Sequence, residues 1–197
     1  ACHCSNCKRN SPATAAPSTA VPSRKQRSLA VADHLTINGF TASLRALGIA
    51  PDMRLAVAVS GGVDSMVLAH LAWHTHPQDN LVFFTVDHRL RETSTREAQQ
   101  VVQTLHNWGA RCDILTWHDA KGGSGVQERA REARYGLLRQ AAQTQKCSAV
   151  LLGHHADDQA ETFWMRLADG SGLGGLGGMA ATRDDADMRW LRPLLAV

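Results

Sequence analysis

Residues able to do chemistry gather in three short stretches: Ser60-Gly61-Gly62-Val63-Asp64-Ser65, Asp87-His88-Arg89, and His154-His155-Ala156-Asp157-Asp158-Gln159-Ala160-Glu161. In the first, two glycines remove Cβ atoms from a turn and let the backbone approach a ligand closely. The hydroxyls of Ser60 and Ser65 can donate to phosphate oxygens, and Asp64 can accept a metal held by those oxygens. No lysine follows the glycines, so this is not the G-x-x-x-x-G-K-[ST] phosphate loop. In the third stretch Asp158 and Glu161 stand three residues apart, on one face of a helix, with Asp157 beside them.

These groups need a scaffold, and the flanking sequence supplies one. Leu55-Ala-Val-Ala-Val59 is apolar without alternation, as expected of a parallel strand buried on both faces. The residues from Ser65 to about 76 then open a helix whose unpaired first N–H groups and dipole favour an anion. An ordinary strand-to-helix turn would account for Ser-Gly-Gly alone; the added Ser60, Asp64 and Ser65 shift the balance to phosphate. Leu81–Asp87, Cys112–Trp117 and Ser148–Leu152 read as further strands, and Trp190–Leu195 as a fifth. Helices are expected over about 29–47, from a Ser94-x-x-Glu97 capping box to Asn107, and over 126–145. On that last helix the expected apolar stripe is Val126, Ala130, Ala133, Leu137 and Ala141, with Gln127, Arg131 and Arg134 on another face. The alternation predicts an α/β fold: a doubly wound parallel sheet of about five strands with helices on both faces. All three polar stretches follow strands, at the rim where such sheets bind ligands.

With 197 residues, 44% of them hydrophobic, the chain can bury one good core. No apolar run approaches the roughly 18 residues of a membrane span, so no membrane partner is expected. Lys8, Arg9, Arg24, Lys25 and Arg27 lie in the first 27 residues, which contain no acid, leaving 16 basic against 18 acidic residues beyond them. Residues 1–27 read as a flexible basic tail, with a transit peptide as a second reading, and 28–197 as the catalytic domain. Cys2, Cys4 and Cys7 lack the second ligand pair of a structural zinc site. The odd cysteine count, with Cys112 and Cys147 isolated, favours a reducing cytoplasm.

SGGVDS, VDHRLR, QERAREARY, LLGHHADDQAET and MRLADGSGLGGLGGM occur in an order and spacing that resemble tRNA(Ile)-lysidine synthetase, over about residues 40–195. The loop and the GHxxDD element resemble the wider superfamily of N-type ATP pyrophosphatases; the Q-x-x-x-R-x-x-R-Y helix and the GSGLxGLxGM tract make the match close. The resemblance implies a ligase that joins L-lysine to C2 of the wobble cytidine (position 34) of tRNA(Ile) with a CAU anticodon, consuming ATP with Mg²⁺. It implies ATP contacts from Ser60, Gly61, Gly62, Val63, Asp64, Ser65, Asp87 and His88, with Asp64 toward Mg²⁺. It places lysine against Asp158, Glu161 and Arg131 or Arg134, and catalysis on Asp158, Asp64, His154 and Arg134. His154 or His155 would face the reacting cytidine or ATP.

Two departures accompany the match. Asp169 stands before GSG where an arginine is expected, and the tRNA-binding regions that usually extend the family are absent, which suggests a fragment or a short catalytic form. A tRNA thiolase of the same superfamily and a nucleotide-binding module without catalysis are the alternatives. Oligomeric state is left open, a homodimer being compatible.

Overall fold

Thr36 starts the first described helix by accepting the Gly39 N–H on its hydroxyl, 3.0 Å away, and Gly48, at φ +75°, turns the chain out of it. The computed structural model describes residues 36–118, 125–156, 158–160, 164, 179–185 and 187–195. In chain order these form α1 (Ile37–Ala46), β1 (Leu55–Ala58), α2 (Val63–Thr75), β2 (Leu81–Asp87), α3 (Ser94–Asn107), β3 (Cys112–Thr116), α4 (Val126–Thr144), β4 (Ala149–Leu151), β5 (Thr182–Asp185) and β6 (Met188–Leu191). The tail, Asp157, Glu161, Asp169 and the GSGLxGLxG run lie outside the described residues.

The strands form one sheet in the order β3-β2-β1-β4-β6-β5, parallel except for β5, which runs antiparallel to β6. Side chains alternate across it. Leu55, Val57 and Val59 face α1, α2 and α3 through Phe40, Leu44, Leu68 and Leu105, whereas Ala56 and Ala58 face Leu138 and Ala142 of α4. Helices therefore cover both faces, as expected. The chain runs outward from β1 to β2 and β3, then crosses back through α4 to place β4 on the other side of β1. Strand order reverses at β1 and β4, and that is where a ligand crevice opens.

Four details differ from expectation. The last parallel strand is Met188–Leu191 rather than Trp190–Leu195, because the chain turns after Arg192 at Pro193. A sixth strand, Thr182–Asp185, lies on the sheet edge, where its charges are tolerated: Asp184 pairs with Arg189 at 3.7 Å and Asp185 with Arg139 of α4. The buried residues of α4 are Ala130, Leu138 and Ala142, so its core stripe is rotated from the expected one and passes through Arg134. Finally, Ser94 is no cap; it is the first residue of α3, after Thr93.

Ser94 has another task. Its hydroxyl donates to Asp87 at 2.7 Å, Thr95 donates at 2.6 Å, and the Arg89 N–H at 3.0 Å. Asp87 is 2% exposed. Burial pushes its carboxyl up, but the Thr95 and Ser94 hydroxyls, the Arg89 N–H and the Arg89 charge outweigh burial and hold it below its ordinary value. A depressed carboxyl stabilises the fold above its unfolded pKa and loses that contribution as pH falls through the folded one. Asp87→Asn is accordingly expected to cost about 2 kcal/mol at neutral pH, with the gap to wild type narrowing below about pH 4. Urea unfolding across that range measures it, and a pH-independent gap would assign the loss to packing.

Candidate active site

The loop after β1 is shaped from inside by Ser65, which is 8% exposed. Its hydroxyl donates to the Gly62 carbonyl at 2.8 Å and receives the Ser60 N–H and the Ser60 hydroxyl, each at 3.1 Å. With its proton spent on Gly62, Ser65 holds the loop closed rather than presenting a donor outward. Gly61 alone of the two glycines needs its lack of a side chain for backbone reasons: it sits at φ +88°, and a Cβ there would lie 3.0 Å from Val101. Gly62 has an extended φ of −69° and precedes α2 without any side-chain cap. The first turn of α2, with Val63 exposed and Asp64 on it, thus presents backbone N–H groups to an anion.

The loop after β4 closes on this turn. A Cβ on Gly153 would stand 2.9 Å from Ser65 Cα and 3.1 Å from Ser65 N, so only glycine allows the two backbones to touch. Beside that contact His155 bridges two carboxylates: its Nε2 lies 3.3 Å from Asp64 Oδ2 and 3.9 Å from Asp158 Oδ2. Its backbone N–H donates to Asp158 Oδ2 at 2.8 Å, the return half of a capping box, since Ala156 begins a helical turn. Asp158 thus accepts one of the N–H groups at the start of this turn. Among the described residues no three His, Cys, Asp or Glu side chains gather as a metal site. A half-exposed carboxylate such as Asp64 suits a Mg²⁺ ion that takes its other ligands from phosphates and water.

Between the ends of β1 and β2 and the helices α3 and α4 lies a cleft of 190 Å³ lined by Ser60, His88, Leu90, Ser94 and Arg134, among others. His88 Nδ1 is buried there with no hydrogen-bond partner among the described residues, an acceptor or donor that a ligand can satisfy. Burial, reinforced by the Arg134 charge and opposed by Asp87, lowers the His88 imidazole from its ordinary value. The structure separates the two candidate arginines. Arg134 lines the cleft, whereas Arg131 is exposed, with its guanidinium 5.5 Å from the Tyr135 ring centroid.

His154 faces a different set of groups. Its Nδ1 receives the Nε–H of Arg192 at 3.3 Å. Burial first, then the charges of Arg192 and Arg134, bring its imidazole down to about 4, against the opposing pull of Asp158. It is neutral near pH 7. Arg192 is not among the residues expected at the site; the signal available for it is a charged residue directly following a buried strand at its carboxyl end.

The family profile of the PP-loop domain matches residues 34–197. The chain belongs to the PP-loop domain family. Its loop, the Gly153 contact and the crevice at β1 and β4 are thus parts of an ATP-binding PP-loop fold. Similar proteins include tRNA(Ile)-lysidine synthases from Novosphingobium aromaticivorans (47% identical over 148 residues, 74% of this chain and 45% of that one), Ruegeria pomeroyi (42% over 149 residues, 75% and 36%) and a Bradyrhizobium species (41% over 169 residues, 84% and 47%). The PP-loop chain thus spans less than half the length of these relatives. The U34-tRNA thiolase NcsA from Methanococcus maripaludis, solved with its [4Fe-4S] cluster, shares the fold with a TM-score of 0.63 at 20% identity, over 80% of this chain and 59% of that one. No helix among the described residues is long and apolar enough to cross a membrane.

Proposed function

We propose that this PP-loop domain adenylates the wobble cytidine of a CAU-anticodon tRNA(Ile) and then joins L-lysine to it. The observation that carries the reading is the meeting of the phosphate-binding turn with Asp64, His155 and Asp158 across the crevice, in a chain 41–47% identical to proteins named tRNA(Ile)-lysidine synthase. Residues 28–197 form the catalytic domain in this proposal, and residues 1–27 its tail. ATP lies with its phosphates on the Ser60–Ser65 turn and its nucleoside toward His88. The C2 oxygen of the cytidine attacks the α-phosphorus and pyrophosphate leaves. Mg²⁺ held by Asp64, when bound, neutralises the charge that develops on the phosphates.

The lysine ε-amine then attacks C2, AMP departs with its oxygen, and the ammonium proton passes to Asp158. Glu161, three residues after Asp158 in the sequence, supplies further negative charge for the ammonium in this proposal. Arg134, rather than Arg131, is placed to hold the lysine carboxylate, because it faces the cleft. Among the described residues no observation favours sulfur chemistry: Cys112 and Cys147 lie at the amino ends of β3 and β4, opposite the crevice. Burial, with Asp113 adding to it, pushes the Cys112 thiol up to about 12, so it is no ready thiolate.

Pyrophosphate release by the chain with MgCl₂, ATP, L-lysine and a CAU-anticodon tRNA(Ile) transcript tests the reading. Release is expected to require the tRNA, and Asp64→Ala to lower it by about 10²-fold or more with the melting temperature nearly unchanged, because Asp64 is half exposed. TRNA-independent release, or full release by the variant, would remove this loop from the proposed reaction.

A further inference from the structure

We propose that Arg192 is a positioning residue that fixes His154 in the tautomer with its proton on Nε2, so that His154 serves the site as a hydrogen-bond donor and not as a proton carrier. Arg192 follows β6, is 5% exposed, and has no carboxylate within ion-pair distance among the described residues. A buried cation without a counter-ion is costly unless its donors are used. Two of them are: Nη1 donates to the Ala180 carbonyl at 2.7 Å and Nε to His154 Nδ1 at 3.3 Å. Its own N–H donates to the Ala181 carbonyl at 2.9 Å, so the backbone around Arg192 is pinned as well.

The chemistry of the pair leaves one arrangement. A guanidinium has five N–H donors and no acceptor, and does not lose its proton in a protein. The imidazole nitrogen that receives its Nε–H must therefore carry a lone pair. The proton of the neutral ring is then on Nε2. Protonating Nδ1 would break the bond and set two cations together. Among the described residues the other charges near His154 push the same way in sum: Arg134 and Arg131 on α4 disfavour an imidazolium, and Asp158 favours one. Arg192 thus ties the end of β6 to the loop after β4. A fixed Nε2–H suits charge that develops on an oxygen or ring nitrogen of a bound substrate, with no reorganisation when the charge appears. That role rests on the proposed adenylation reaction; the tautomer does not.

Long-range ¹H–¹⁵N spectra of the imidazole nitrogens in the full chain test the tautomer without substrate, with the His154 signals assigned by their loss in His154→Gln. The expected result is a neutral ring protonated at Nε2, titrating only near pH 4. In Arg192→Met the midpoint should rise by about one unit or more toward the ordinary value near 6.5, with both tautomers populated. A wild-type ring protonated at Nδ1, or one titrating near 6.5, would overturn the proposal, and that reading of the wild-type ring does not depend on whether the Arg192 variants fold. Arg192→Lys keeps the charge but not the planar fork. It should keep the ring neutral while mixing the tautomers, and an unmixed Nε2–H form there would equally overturn the role given to the Nε contact. Loss of ATP binding by the wild type would count against the proposed reaction and leave the tautomer result standing.

Discussion

Asp158→Asn is expected to let adenylated tRNA accumulate while conversion to the lysine adduct falls by about 10²- to 10⁴-fold, the usual worth of a positioned general base. Near pH 7 only about one lysine ε-amine in 2,500 is neutral, so the attacking group must shed a proton within the site. Asparagine suits the test because of the geometry at this residue. Asp158 accepts the His155 N–H at 2.8 Å, and an amide oxygen can accept it too, so the helical turn and the placement of His155 survive. What is lost is the charge and the base. Pyrophosphate release in the absence of lysine should continue at near the wild-type rate, and acid-gel separation of the tRNA should show the intermediate. A variant that makes lysidine normally, or that fails already at adenylation, would move the role to Asp157 or Glu161.

Gly153→Ala is expected to weaken ATP binding at least tenfold and to lower stability by about 1–3 kcal/mol, the range for overpacking a tight contact. The added carbon would stand 2.9 Å from the Ser65 Cα and 3.2 Å from the carbonyl carbon of Asp64. Both neighbours are backbone, which cannot rotate aside as a side chain would. Relief requires the first turn of α2 to retreat from the end of β4, and that carries Asp64 away from His155. Gly62→Ala is the control: its Cβ would meet only Ser60 Oγ at 3.6 Å, an ordinary contact, so stability should hold. Titration of both variants with Mg-ATP, beside thermal melts, separates the effects. Equal melting temperatures for Gly153→Ala and wild type would mean that the contact is softer than its geometry implies.

The central strands and the polar clusters at their ends were legible because their signals are local. Leu55–Val59 and Leu81–Asp87 are apolar on both faces, and each ends in a polar cluster at the rim. The rest turned on pairings between distant segments, which local patterns do not carry. On α4, shifting the apolar reading from Leu137 and Ala141 to Leu138 and Ala142 changes no composition, yet it decides that Arg134 and not Arg131 lines the cleft. Thr182–Asp185 has no hydrophobic alternation because only its partner β6 and its position at the edge make it a strand. Ser94 satisfied a capping pattern, but Asp87, seven residues back, offered its hydroxyl a charged acceptor. Arg192 had no signal beyond its place after a buried strand, because its partner His154 is distant in sequence.

The return of the chain through α4 also sets the order in which the protein can acquire its chemistry. β1 joins β2 across one helix, but its register with β4 pairs Leu55 with Ala149 and Val57 with Leu151. Closing so long a stretch costs more chain entropy, and contacts of high sequence separation slow folding. β1, β2 and β3 with α2 and α3 can associate before β4 arrives. Such a partly folded species would own the glycine turn but lack His155, Asp158 and the Gly153 brace behind it. Nucleotide bound across both halves favours only the completed sheet, so saturating Mg-ATP should slow global unfolding and raise the melting temperature as mass action requires.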